Sequence, residues 1–202
     1  MNKINYDKLM QEIIAKEHKR KLLLHACCAP CASYCITELM PHFDITVYFY
    51  NPNIDGEEEY GKRFFELCRL VKIIGKGEID VIQDGFNKGE FLEIAKGKET
   101  LPEGGARCAS CFNLRLESTA RRAKAGAFDF FATTLTVSPL KNADILNSIG
   151  YKCGNVYGVE YLPTDFKKRN GYKKSVELSK EYNLYRQSYC GCEYSKNKGL
   201  EN

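Results

Sequence analysis

Lys21-Leu22-Leu23-Leu24-His25-Ala26-Cys27-Cys28-Ala29-Pro30-Cys31 is the stretch that decides the fold. Its first part, Lys21 to Ala26, is a short and nearly continuous apolar run, as expected of a strand buried on both faces. Pro30 fits the first turn of a helix, expected over about 31–41. A buried strand feeding directly into a helix is how a parallel α/β unit begins. Two adjacent cysteines sit at that junction and a third follows in the helix.

The same alternation continues outward. Ile45 to Tyr50 is a β-branched and aromatic second strand, stopped by Asn51-Pro52-Asn53. Tyr60, Phe64, Leu67, Val71 and Ile74 recur at helical spacing from Glu57 onward. Ile79 to Ile82 reads as a third strand, Gly89 to Lys96 as a short helix, and residues 97–107 as a mobile loop. A helix is expected over 109–125, a fourth strand over Phe128 to Thr133, and a helix from Asn142 to about Ile149. Gly158 to Leu162 is a weaker fifth strand, and 171–183 a helix before Tyr185-Arg186-Gln187. Residues 1–20 carry Leu9, Ile13 and Ile14 among charges, which reads as an amphipathic N-terminal helix. Residues 186–202 form a C-terminal segment around Cys190-Gly191-Cys192.

The expectation is one α/β domain over residues 1–202, with a mostly parallel, roughly five-stranded Rossmann-like (HUP-like) sheet flanked by helices. Such sheets bind ligands beyond the C-terminal strand ends, near the topological switch point. Cys27 and Cys28, Asn51 to Asn53, and Thr133-Thr134-Leu135 with Ser138-Pro139 all follow strands and converge on that face.

Composition narrows the class. Apolar residues make up 44% and charged residues 28% of 202 residues, ordinary for a soluble globular chain. The polar start Met1 to Lys8 has no signal-peptide pattern, and no run reaches the roughly 18–20 apolar residues of a membrane span. A cytoplasmic location is expected, where clustered cysteines serve metal or redox chemistry rather than a disulfide framework. The net charge of +4 is mild. Local basic groups at Lys19-Arg20-Lys21, Arg121-Arg122 with Lys124, Lys167-Lys168-Arg169 and Lys173-Lys174 are solvated surface unless they surround the cysteines.

Seven of the ten cysteines fall into three tight groups. Cys27-Cys28 at a strand end and Cys108-x-x-Cys111 at a helix start offer four thiolates to one centre. That set suits a [4Fe–4S] cluster or a tetrahedral zinc, and its place in the binding region favours iron–sulfur. A disulfide within Cys190-Gly191-Cys192 closes a very small, strained ring, so the pair is a candidate two-electron donor. Alternatively the pair holds a second metal together with Cys31. Cys35, Cys68 and Cys153 read as small buried hydrophobes, and His18, His25 and His42 as structural or exposed. Neither a GxGxxG nor a GxxxxGK[ST] follows the first strand, which leaves dinucleotide and P-loop phosphate binding without support.

Taken together, these motifs resemble those of the cobalamin-independent epoxyqueuosine reductases, the QueH family. The matching pieces are Leu24 to Pro30, Tyr50-Asn51-Pro52-Asn53-Ile54, Arg107-Cys108-x-x-Cys111, Thr133-Thr134-Leu135 with Ser138-Pro139, Gly171-Tyr172, and Tyr185-Arg186-Gln187-x-Tyr189-Cys190-Gly191-Cys192. They span about residues 22–194, nearly the whole chain. The resemblance implies deoxygenation of epoxyqueuosine at the tRNA wobble position, with electrons from an external donor. It implies a [4Fe–4S] cluster on Cys27, Cys28, Cys108 and Cys111 and a redox-active pair at Cys190 and Cys192. It further implies an additional iron in some relatives, held by cysteines and an acidic residue at the position where this chain has Cys31. Asn51, Asn53, Thr133, Thr134, Arg186 and Gln187 are the expected substrate-binding residues, and Tyr189 or Asp165 a proton source. Competing readings are a tRNA sulfur-transferase of the ATP-pyrophosphatase type and a zinc-stabilised RNA-binding module. The first lacks its Ser-Gly-Gly-x-Asp-Ser loop, where Cys27-Cys28-Ala29-Pro30-Cys31 stands instead. The second leaves Cys190 and Cys192 without a task.

Overall fold

The computed structural model describes residues 4–16 and 19–196; His18 and residues 197–202 lie outside the described residues. Five parallel strands, β1 (Arg20–His25), β2 (Phe43–Phe49), β3 (Asp80–Gln83), β4 (Phe130–Thr133) and β5 (Glu160–Tyr161), form one sheet in the order β3-β2-β1-β4-β5. The order reverses between β1 and β4, so a crevice opens beyond His25 and Thr133, at the expected switch point.

Side-chain alternation along β1 explains the three layers. Leu22 and Leu24 face one side with Ile36, Phe49 and Leu67, while Leu23 faces the other with Phe112, Leu116 and Leu146. Helices α1 (Tyr6–Ile14), α2 (Ala29–Leu39) and α3 (Glu57–Ile74) carry apolar residues of the first group. After the short α4 (Lys88–Ala95), helices α5 (Ala106–Ala125) and α6 (Ala143–Tyr157) supply the second. Helices α7 (Gly171–Glu181) and α8 (Glu193–Lys196) complete the chain. None of the described helices is long and apolar enough to cross a membrane.

Three elements depart from expectation. Helix α5 begins at Ala106 rather than 109, which puts Cys108 inside its first turn instead of in a preceding loop. Helix α6 continues to Tyr157 because Gly150 is not a breaker: the ring of Tyr161 packs where a Cβ would stand. Cys153 consequently lies buried within that helix, as a small apolar residue would. The fourth strand begins at Phe130, since Ala127 adopts φ 52° and turns the chain first. Cys68 is only half-buried, unlike the buried Cys35.

Gly171 illustrates how the fold aims the site. A Cβ there would collide with the Phe166 carbonyl and the Tyr34 ring, so only glycine lets α7 start against α2. That close approach brings Tyr172 to the rim of the crevice. Gly171→Ala is expected to lower unfolding stability by about 1–3 kcal/mol through overpacking. Urea denaturation of wild type and variant measures it, and an unchanged midpoint refutes this packing.

Candidate thiol and metal centre

Cys28 is the N-cap of α2, and Pro30 occupies its first turn. The turn folds Cys31 back onto the strand end, so the Sγ atoms of Cys27, Cys28 and Cys31 all lie within 4.8 Å of one another. Cys27 and Cys28 are 3.7 Å apart, and Thr134 Oγ1 lies 4.0 Å from Cys27. The thiols of Cys28 and Cys31 donate to Cys27 and hold it well below the usual thiol range. The same bonds, joined by burial, push Cys28 up to about 12 and Cys31 well above its ordinary value. Three neighbouring sulfurs, two of them buried and one held towards the thiolate, are a donor set suited to a thiophilic metal. The residues therefore fit a metal or cluster.

Beneath the sulfurs lies a buried guanidinium. Arg115, 1% exposed, donates from Nε to His25 Nε2 at 3.3 Å and from an Nη to Asn51 Oδ1 at 2.6 Å. Asn51 in turn donates to the Ala26 carbonyl at 2.9 Å. Burial works against the Arg115 charge, but Cys111, Cys27 and Cys190 outweigh it. His25 contacts Thr133 Oγ1 at 2.9 Å and the Tyr50 carbonyl at 3.1 Å. Burial first, then Arg115, lowers its pKa to about 3, so the ring is neutral at pH 7. It is a structural histidine, as the sequence suggests.

Above the sulfurs is a cavity of about 780 Å³. Cys27 and Cys31 form part of its wall, Lys141, Tyr172, Arg186 and Gln187 part of its rim, and Tyr189 and Cys190 the opposite side. The turn carrying Cys190 is docked by several bonds. Arg63, fully buried on α3, donates to the Cys190 carbonyl at 3.2 Å and pairs with Glu59 at 2.7 Å. The Asp55 N–H donates to the Gly191 carbonyl at 2.8 Å. Gly191 has φ 129°, and a Cβ there would stand 2.9 Å from Arg63 Nη1. Both conformation and space therefore demand glycine. Cys192 faces away from the cavity, packed with Phe91, Ala95 and Cys111, its thiol donating to Ser195 Oγ at 3.5 Å.

Of the sequence-assigned ligands, the structure brings Cys27 and Cys28 together with Cys31. Cys108 packs on the apolar cluster that contains the pair, and accepts the Gly104 N–H at 3.2 Å. Cys111 sits beside Cys192, its thiol raised to about 12 by burial. Asn51, Asn53, Thr133 and Thr134 are buried under the cavity rather than lining it, whereas Arg186 and Gln187 border it. Gln187 also donates to the Cys28 sulfur. Asp165 is paired with Lys167 at 3.0 Å and does not border the cavity; Tyr189 does. The loop before α5, expected to be mobile, is tied by Arg107, which donates to the carbonyls of Lys98, Glu99 and Leu101 at 2.6–3.1 Å.

Sequence reasoning missed Arg115, Arg63 and Lys141. Arg115 was within reach, because it falls on the helix face of Cys108 and Cys111 at i+7 and i+4. Nothing in the sequence singles out Lys141 or Arg63. The basic groups named above mostly serve other ends: Arg169 pairs with Asp7 and Glu38, and Arg20 with Asp129. A second cavity of about 520 Å³, near Phe43 at the start of β2, has neither cysteine nor histidine in its wall.

Fold and site together define a doubly wound α/β protein with a thiol-lined chamber at its switch point. The family model described as epoxyqueuosine reductase QueH matches residues 22–198, and the chain belongs to that family. It is 42% identical to the epoxyqueuosine reductase QueH of Streptococcus pyogenes serotype M1, over 98% of this chain and 81% of that one. Against the enzyme of the same name from Staphylococcus epidermidis identity is 40%, covering 97% and 86%. The Thermotoga maritima enzyme of that name is 35% identical over 86% and 89%. Among solved structures, a predicted subunit of a tRNA methyltransferase from Methanocaldococcus jannaschii matches with TM-score 0.51 at 13% identity, over 79% of this chain and 75% of that one. That likeness concerns the fold alone.

Two outcomes are expected. Because His25 binds its proton at a lower pH folded than unfolded, stability falls as pH drops from 6.5 towards 3, by up to ~1.4 kcal/mol per unit. Denaturation of metal-free protein across that range tests it; His25→Gln flattens the slope, and an equal slope in both overturns the assignment. Gly191→Ala undocks the turn, so maleimide labels Cys192 at least about tenfold faster, each factor of ten being ~1.4 kcal/mol of lost docking. Equal labelling rates contradict the docking described here.

Proposed function

We infer that this chain reduces epoxyqueuosine at the wobble position of tRNA to queuosine. The observation that carries the reading is that Cys190 of the C-terminal turn and Cys27 and Cys31 of the strand-end group border one cavity. Family membership supplies the substrate class, and the thiols supply a chemistry that suits it.

Converting an epoxide to an alkene takes two electrons and two protons and releases the oxygen as water. The Cys190 and Cys192 thiols balance that demand. Their S–H protons leave with the oxygen, two carbon–oxygen bonds break, and one S–S bond forms. An external donor of two electrons then restores the dithiol. Cys27, Cys28, Cys108 and Cys111 are our proposed holders of a [4Fe–4S] cluster, with Cys31 beside them able to join Cys190 and Cys192 at an additional iron. When bound, such iron supplies one-electron relay and Lewis acidity at the oxygen. The Arg115 charge beneath the group offsets the cost of burial and favours the anionic form of Cys27.

The residues around the opening suit a nucleotide. Arg186 lies over the Tyr172 ring at 5.4 Å, a planar pair on which a base can stack. Gln187 offers an amide next to the sulfurs, and Lys196 places a cation within reach of phosphate. Asn51, Asn53, Thr133 and Thr134 support the floor from below.

Protein purified without oxygen is expected to be brown with roughly four irons per chain, and to convert epoxyqueuosine-containing tRNA when given a low-potential reductant. Cys190→Ser is expected to lose turnover by at least ~10³-fold while retaining iron, as removal of a reacting nucleophile does. Colourless protein with a single zinc, or full activity in Cys190→Ser, sinks this reading.

A further inference from the structure

We propose that Lys141 is a catalytic residue of this chamber, its ammonium donating to the epoxide oxygen as the carbon–oxygen bond breaks. The proposal rests on the reductase reading and names the group that receives the developing negative charge. Departure of an epoxide oxygen leaves alkoxide character on an atom surrounded by sulfur. Without a fixed positive donor, that charge would form against thiolates.

Lys141 is placed for the task by a rigid piece of backbone. Its N–H donates to the Ser138 carbonyl at 3.2 Å, and its own carbonyl accepts from Lys167 Nζ at 3.3 Å. The next residue, Asn142, caps α6 by accepting from the N–H groups of Asp144 and Ile145. From this anchored turn the side chain borders the cavity together with Cys27, Cys31 and Cys190. Among the described residues no carboxylate pairs with it; the groups that act on its charge are the sulfurs of Cys190, Cys27 and Cys31, of which Cys27 is held towards the thiolate. Glu103, the carboxylate of the cavity wall, is an exposed loop residue.

The neighbouring cations are already engaged. Arg115 serves His25 and Asn51, Arg63 serves Glu59 and the Cys190 carbonyl, and Lys196 is 3.6 Å from Asp55. Arg186 is exposed on the Tyr172 ring. Among the described residues, Lys141 is thus the cation of the chamber whose side chain is left without an ion-pair or hydrogen-bond partner. In the balanced step, the two protons of the released water come from Cys190 and Cys192, and Lys141 keeps its own. It acts as a preorganised charge.

Lys141→Met is expected to lower kcat about 100-fold, the usual effect of losing one such donor, with KM for tRNA changed less than about threefold; Lys141→Arg recovers most of the loss. A second readout needs neither metal nor substrate. On metal-free protein at fixed pH, mass spectrometry follows alkylation of Cys190 by anionic iodoacetate and neutral iodoacetamide. The ratio of the two rates cancels any change in thiolate fraction and reports the local charge. It falls about fivefold in Lys141→Met, as loss of one charge from the wall of the same cavity requires, and is kept in Lys141→Arg. An unchanged ratio overturns the proposal, as does a fallen ratio with unchanged kcat. Wild-type protein that keeps the ratio but reduces no epoxide overturns the reductase reading, and removes the oxygen as the target of Lys141.

Discussion

A guanidinium without water must be fully matched, or it is strongly destabilising. Arg115 meets that condition with groups from its own helix and its neighbours: His25 on β1, Asn51 after β2, the Cys27 sulfur after β1, and Cys111 one turn earlier on α5. Its partners have no alternative solvent, so the strand ends and α5 are held in one arrangement. Asn51 passes the constraint on by donating to the Ala26 carbonyl, one residue before the first cysteine. The floor of the chamber is therefore a polar network with its charges compensated mainly by sulfur. An apolar floor of the same shape would leave Lys141 among the few remaining counter-charges to the Cys27 thiolate.

The lid of the chamber obeys a different rule. It is a short turn, held by main-chain acceptors and by a glycine that alone tolerates φ 129° so close to Arg63. Its two thiols look into different surroundings. Cys190 borders the cavity, while Cys192 bonds Ser195 and packs with Phe91, Ala95 and Cys111. To pair with Cys190, Cys192 gives up that packing. In the proposed dithiol step, pairing of the two thiols and docking of the turn are consequently linked, because the same side chain takes part in both.

Much of this was legible in the sequence, for identifiable reasons. Buried parallel strands are continuous apolar runs, so β1 and β2 announce themselves, and with them the face on which Cys27 and Asn51 fall. The thiol groups are readable because cysteine is rare and its spacing explicit. What escaped depends on long-range packing. Gly150 looks like a helix end until the Tyr161 ring is seen lying on it. Cys31 reads as a departure from an acidic position, and only the fold of the α2 first turn puts its sulfur with those of Cys27 and Cys28. The basic clusters mislead in the other direction, because composition cannot reveal that Arg169 is consumed by Asp7 and Glu38.

Charge distribution then ties floor, wall and lid into one chemical statement. Arg115 below, Arg63 behind the turn and Lys141 at the side are cations from three separate elements, and all three feel the sulfurs. Carboxylates are few there: Glu59 is spent on Arg63 and Asp55 on Lys88, and Glu103, which does line the cavity wall, is an exposed loop residue. In a partly desolvated chamber such an imbalance strongly favours negative occupants. Thiolates, a thiolate-bound metal centre and an oxygen acquiring charge all satisfy it, and a cationic ligand does not. The sequence presents a mildly basic chain with ten cysteines; the fold converts it into a site where nearly every sulfur that matters sits opposite a buried positive charge.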